Sequence, residues 1–248
     1  MEVHVHLLPK LADPTTMRGR VAVVIDVLRA TTSIVHALAA GVESVLPCGE
    51  VEQAREMTAL RPPGTTLLGG ERHGERIPGF DLDNSPLKYT AELLAGKTLV
   101  FTTTNGTRAL ATCLQASRVL ISGFVNRQAT INALLEDNRP VHLVCAGTDG
   151  YVTTEDVLFA GSLADAVYQA QGGSDAADDE TQLAIALWRA TGSTFAQIRQ
   201  ALRNSRGGRN LIELGFDADI DRSAECDRFD FAAEYFANAG QIQIAKRS

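Results

Sequence analysis

The chain has 248 residues, 45% of them hydrophobic and 21% charged, with 23 basic against 30 acidic side chains and a formal net charge of −7. That balance argues against wholesale binding to nucleic acid or an anionic membrane, and no apolar run approaches the roughly 20 residues that span a bilayer. The four cysteines, Cys48, Cys113, Cys145 and Cys226, are scattered with no CxxC pair, and the amino-terminus has no basic region followed by an apolar stretch, so a reduced cytoplasmic protein is expected.

At roughly 150 residues per domain the length allows one or two units, and α/β chains of this size are often one, so a single domain over 1–248 is expected. The run VAVVIDV (21–27) is nearly continuous in apolar residues, the mark of a strand buried on both faces. Ile34, Val35, Leu38 and Ala39 then repeat at helical spacing, with Gly41 placed to end the helix. Residues 42–47 read as a strand, 51–60 as a helix and 65–70 as a strand ending in glycines. The same rhythm continues as strand 97–104 and helix 106–114, strand 118–123 and helix 127–137, and strand 141–147 and helix 155–171. Residues 175–206 read as entirely helical, and QIQIAK (241–246) as a last, alternating edge strand. Strand–helix alternation at this pace implies a three-layer α/β/α fold with a mostly parallel or mixed central sheet. The stretch 71–89, rich in Gly, Pro, Asp and Asn, is too long for a plain connection, and such loops are usually functional.

Ligands of open parallel sheets bind beyond the carboxyl ends of the strands. The residues following the predicted strands are polar throughout: Asp26, Arg29, Thr31 and Thr32 after the first, then Glu71 and Arg72. Thr102 to Gly106 follow another, and Cys145, Gly147, Thr148 and Asp149 the last, with Glu155 and Asp156 opening its helix. Asp26, Glu71, Asp81, Glu155 and Asp156 are candidate metal ligands, since carboxylates suit Mg²⁺ together with waters and phosphate oxygens. Glu155 and Asp156 would equally complement a helix dipole. Asp26 is the sharper candidate, because a carboxylate at the end of an apolar strand is costly without a cation or donors. Thr103, Thr104, Asn105 and Gly106 place hydroxyls and free N–H groups at a helix start, a ready anion site, although ordinary capping explains them too. No GxxxxGK[ST] or GxGxxG motif occurs, which counts against nucleotide triphosphatases and dinucleotide dehydrogenases.

Arg29, Arg72 and Arg206 are candidates for bidentate recognition of phosphate, carboxylate or sulfonate. Asp26, Arg29 and Glu71 are the expected catalytic set. Arg72, Thr31, Thr32, Thr103, Thr104, Asn105, Gly106, Cys145, Gly147 and Arg206 are the expected substrate contacts. The expected partner is a small anionic molecule rather than nucleic acid or membrane, and a homo-oligomer is left open. Two alternatives stand beside this reading. A non-catalytic sensor of an anionic metabolite would bind without turnover, and a Cys-dependent hydrolase would need Cys145 exposed and activated.

The segments IDVLRATTS (25–33), GGER (69–72), GFDLDNSP (79–86), TTTNGTRAL (102–110), CAGTDG (145–150) and EDVLFAG (155–161) occur in an order and spacing that resembles the magnesium-dependent 2-phosphosulfolactate phosphatases. The carboxyl-terminal SRGGRNLIELGFDADIDRSAECDRFD (205–230) is similar to that family's ending. The resemblance covers essentially the whole chain. It implies an α/β/α layered fold distinct from the haloacid dehalogenase phosphatases. It also implies a small anionic phosphoester as partner, with Arg29 on the transferring phosphoryl group and Arg72 on the other anionic end. The implied reaction is hydrolysis of 2-phospho-3-sulfolactate to 3-sulfolactate and phosphate, a step of coenzyme M biosynthesis in methanogens.

Overall fold

Every residue of the strand Val21–Ile25 is buried, and alternate side chains leave it in opposite directions. Val21, Val23 and Ile25 join one apolar cluster with Phe124, Leu158 and Leu163. Ala22 and Val24 join another with Val35, Leu38 and Ala109. A strand whose two faces feed two cores must lie in the middle layer of three.

The computed structural model describes residues 1–173 and 178–246. The elements of its first half are β1 (Val3–His6), β2 (Val21–Ile25), α1 (Ala30–Ala39), β3 (Ser44–Pro47), α2 (Val51–Ala59), β4 (Thr66–Arg72), β5 (Glu75–Arg76), α3 (Ala91–Leu94), β6 (Thr98–Thr102) and α4 (Gly106–Thr112). There follow β7 (Arg118–Ser122), α5 (Arg127–Asp137), β8 (Val141–Cys145), α6 (Thr154–Ala170), α7 (Asp179–Thr191), α8 (Phe195–Asn204), α9 (Arg206–Glu213), α10 (Asp217–Ser223), β9 (Ala233–Phe236) and β10 (Gln241–Ile244). The strands form one mixed sheet in the order β1-β8-β2-β7-β9-β10-β3-β6-β4-β5, covered by helices in a three-layer α/β/α arrangement. β1, β8, β2 and β7 run parallel to one another, as do β3, β6 and β4.

Three expectations change. The 241–246 segment is not an edge strand. β9 and β10 form an antiparallel hairpin wedged between β7 and β3, joining the two parallel halves of the sheet. The alternation in QIQI records that Ile242 is buried while its neighbours are less so, but it says nothing about which strands lie alongside. The 175–206 stretch is not helical throughout, being interrupted at residues 192–194, and its residues 175–177 lie outside the described residues. α7 ends at Gly192, whose φ of 88° leaves the helical region. Thr194 and Gln197 then form a capping box that starts α8. Ser205 closes α8, and its hydroxyl accepts the Gly208 N–H to open α9. Finally, the 71–89 stretch begins as regular structure: β4 runs to Arg72 and returns as β5 through a two-residue turn at His73 and Gly74, both at positive φ. No helix among the described residues is long and apolar enough to cross a membrane.

Candidate active site

The carboxyl ends of β2, β4, β6 and β8 meet around a cavity of about 320 Å³ lined by Asp26, Arg29, Glu71, Thr104, Asn105 and Asp149, among others. The loop after β2 is held by its own hydroxyls. Thr31 Oγ1 donates to the Asp26 carbonyl at 2.9 Å and Thr32 Oγ1 to the Val27 carbonyl at 2.9 Å. Both threonines, expected as substrate contacts, are fully buried with their hydroxyls spent on the loop's own backbone, and neither lines this cavity. Asp26 Oδ1 accepts the Ala30 N–H at the start of α1, while Oδ2 has no donor among the described residues. An ideal Cβ at Gly106 would stand 3.0 Å from that Oδ2, 2.8 Å from Ala30 Cβ and 3.1 Å from Thr103 Oγ1. Gly106 therefore acts by lacking a side chain, letting α4 begin close against α1.

Asp156 and Glu155, both 2% exposed, open α6 beside Asp26. Asp156 accepts the Val27 N–H on one oxygen and the Gly147 N–H on the other, each at 2.9 Å, and so ties the ends of β2 and β8 together. Glu155 Oε2 is buried with no partner, and its Oε1 lies 2.3 Å from an ideal Cβ at Gly207. Glu155 thus stands behind the part of the cavity wall that Gly207 provides. Burial pushes all three acids above the usual carboxylate range. Asp156 and Glu71 add to the rise at Asp26, Glu155 adds to that at Asp156, and Asp26 to that at Glu155. Such a cluster takes up protons or a cation.

The other candidates separate. Glu71 lines the cavity with both oxygens engaged, accepting the Thr104 N–H and the Gly74 N–H at 2.8 Å each. It braces the β4–β5 hairpin against the loop after β6. Asp81, expected as a metal ligand, lines neither this cavity nor its neighbour. It is exposed, and its carboxylate accepts the Leu68 N–H. Arg29 lines the cavity but is not a free clamp. Its guanidinium pairs with Asp219 at 2.6 Å, donates to the Gly74 carbonyl and lies 4.4 Å from the centre of the Phe216 ring. Arg72 donates to the carbonyls of Glu71 and Gly49 and to Thr102 Oγ1, and faces a second cavity next door. Arg206 is exposed and stacks over Tyr151 at 4.2 Å, outside the cavity lining. Cys145 is fully buried, and burial holds its thiol well above the ordinary value. Burial and a raised thiol pKa both count against a Cys145 nucleophile, and the side chain does not line the cavity where it was expected to meet substrate.

The sequence profile described as 2-phosphosulpholactate phosphatase matches residues 6–237. The chain belongs to the 2-phosphosulfolactate phosphatase family. Among relatives, a probable 2-phosphosulfolactate phosphatase of Caldanaerobacter subterraneus subsp. tengcongensis is 36% identical over 86% of this chain and 87% of its own. Proteins of the same description from Synechococcus sp. strains CC9605 and WH7803 are 41% and 42% identical, over 87% and 84% of this chain and 88% and 83% of theirs.

For a family whose members act on phosphoesters, the fit of a divalent cation is a question about donors. No group of three or more His, Cys, Asp or Glu among the described residues is arranged to enclose a metal ion. Magnesium needs no such cage, because it keeps several waters and takes one or two carboxylates plus substrate oxygens. Asp26 Oδ2 lines the cavity without a donor and Glu155 Oε2 lies without a partner behind the Gly207 wall, two carboxylate oxygens of the kind and number magnesium takes. Sequence reading overlooked Asp219, the counter-ion of Arg29, and gave no role to Gly207. Two glycines inside RNSRGGRN were the available signal for a close backbone approach.

Proposed function

We propose that the chain is a Mg²⁺-dependent phosphatase hydrolysing 2-phospho-3-sulfolactate to 3-sulfolactate and phosphate. The observation that carries the reading is the pair of carboxylate oxygens without donors, Asp26 Oδ2 and Glu155 Oε2, in a buried acidic cluster at the strand ends. Membership of the family supports the substrate.

Asp26 and Glu155 would hold the cation. When bound, Mg²⁺ supplies positive charge to the phosphoryl oxygens, where charge must be neutralised as the ester bond breaks. Asp156 fixes the ends of β2 and β8 relative to each other through its two backbone contacts. Arg29 is oriented in advance by Asp219 and the Gly74 carbonyl, so little of its freedom remains to be lost when it meets a phosphoryl oxygen. Asn105 Oδ1 accepts the Asp149 N–H at 3.3 Å, which leaves its Nδ2 to donate to an anion.

The test is release of inorganic phosphate from 2-phospho-3-sulfolactate with Mg²⁺, with and without EDTA. Turnover that EDTA abolishes is expected. Binding without any turnover would favour a sensor, and full turnover in EDTA would remove the metal from the mechanism.

A further inference from the structure

A second cavity, of about 590 Å³, adjoins the first, and the two share His73 and Thr104 in their walls. Their charges are opposite in sense. The first is lined by Asp26, Glu71, Asp149 and Glu213 against Arg29, whose charge Asp219 already neutralises. The second is lined by Arg72 and Arg108 against Glu50. Arg72 donates only to neutral oxygens, and the Arg108 guanidinium has no hydrogen bond or ion pair among the described residues. Thr103 also lines this cavity and is 3% exposed, with a hydroxyl that has no partner.

A phosphoester that also carries a sulfonate and a carboxylate brings several negative charges to one place. In the first cavity the Arg29 charge is already paired with Asp219, so the phosphate takes up what compensation Arg29 and a bound cation offer. A further anionic group left there would face uncompensated carboxylates. Across the His73–Thr104 saddle the sign reverses, and guanidinium groups match the planar or trigonal oxygen sets of carboxylate and sulfonate. The geometry points to the Arg72–Arg108 cavity as the subsite for the sulfonate-bearing end of the substrate, with the phosphate in the Asp26 cavity. This rests on the proposed activity, and it adds that substrate selection is made in a different cavity from bond cleavage.

Arg108 is exposed and unpaired, so Arg108→Gln should fold as the parent does, which equal melting temperatures would establish. Two readouts follow. In turnover, kcat/KM for 2-phospho-3-sulfolactate should fall about tenfold in the variant, while kcat/KM for 2-phospholactate, which lacks the sulfonate, should change less than about twofold. In calorimetric titration with 3-sulfolactate, the Kd should rise about fivefold or more. An equal fall for both substrates, or no fall for either, overturns the subsite, as does an unchanged Kd. Should the parent protein hydrolyse neither substrate, the proposed activity fails instead, and the titration still decides whether Arg108 holds a sulfonate.

Discussion

Arg29 Nη1 lies 2.6 Å from Asp219 Oδ2, and both side chains are 2% exposed, although 190 residues separate them in the chain. Asp219 also accepts the Ser85 hydroxyl on its other oxygen. One carboxylate on α10 therefore anchors both the loop after β2 and the loop that precedes α3. Removing one member of a buried pair leaves the other charge uncompensated and costs about 3–5 kcal/mol. Asp219→Ala should lose stability on that scale in urea unfolding. Replacing Arg29 and Asp219 together by leucine should cost less than the two single changes added, because neither charge is then stranded. A strictly additive double variant would mean that the pair is not coupled.

Gly207 tests the acidic cluster from the outside. A methyl group there would stand 2.3 Å from Glu155 Oε1 and 3.4 Å from Leu28 Cβ, so the carboxylate or α9 must move. Gly207→Ala should cost about 1–3 kcal/mol, as overpacked sites do, and should lower turnover more than it lowers stability would suggest. Wild-type kcat in this variant would separate Glu155 from the chemistry.

The acidic cluster also sets a pH dependence in the metal-free protein. Burial and neighbouring acids push Asp26 and Asp156 from an ordinary 3.8 up to about 8. A raised folded value means that the native state binds more protons than the unfolded chain between these limits. The associated stability is complete below pH 3.8 and is lost as pH rises towards 8. Added Mg²⁺ should therefore raise the melting temperature more at pH 8.5 than at pH 6, since protons compete with the cation. Asp26→Asn should make the metal-free protein more stable than the parent at pH 8.5 while abolishing turnover. A melting temperature indifferent to both pH and Mg²⁺ would contradict this account.

His36 acts in the opposite direction. Burial, then Arg222 and Arg228, lowers its pKa from 6.5 to about 4, and its ring packs edge-on against Phe229. A depressed folded value contributes stability that is present above pH 6.5 and lost as pH falls towards 4. His36→Leu should flatten the acid side of the stability profile between those values, measured by urea unfolding at fixed pH steps.

Cys145→Ser should keep most of the catalytic activity at low temperature, because the thiol is buried and lines neither the Asp26 cavity nor the Arg72 cavity. It should cost about 1–3 kcal/mol for a hydroxyl in an apolar site. A phosphocysteine trapped on the parent chain would reverse the assignment.

The sequence by itself determined the strand–helix alternation, the two-faced burial of VAVVI, the family, and the fact that polar residues crowd the strand ends. Each of these is written in neighbouring residues, through periodicity, capping signals and ordered motifs. Asp26 was legible on the same local terms, as a carboxylate at the end of an apolar strand. What the tertiary structure alone decided is which partner each polar atom meets. Asp156 and Glu71 have the same chemistry as Asp26 and Glu155, yet backbone N–H groups occupy both oxygens of each: those of Val27 and Gly147 on Asp156, and those of Gly74 and the distant Thr104 on Glu71. Arg29 and Arg206 look alike in sequence, but one is held by Asp219 deep in the cavity wall and the other stacks on Tyr151 at the surface. The placing of β10 between β9 and β3 is of the same kind. Strand pairing and ion pairing join residues far apart in the chain, and the composition of a short segment carries no record of the distant group that satisfies it.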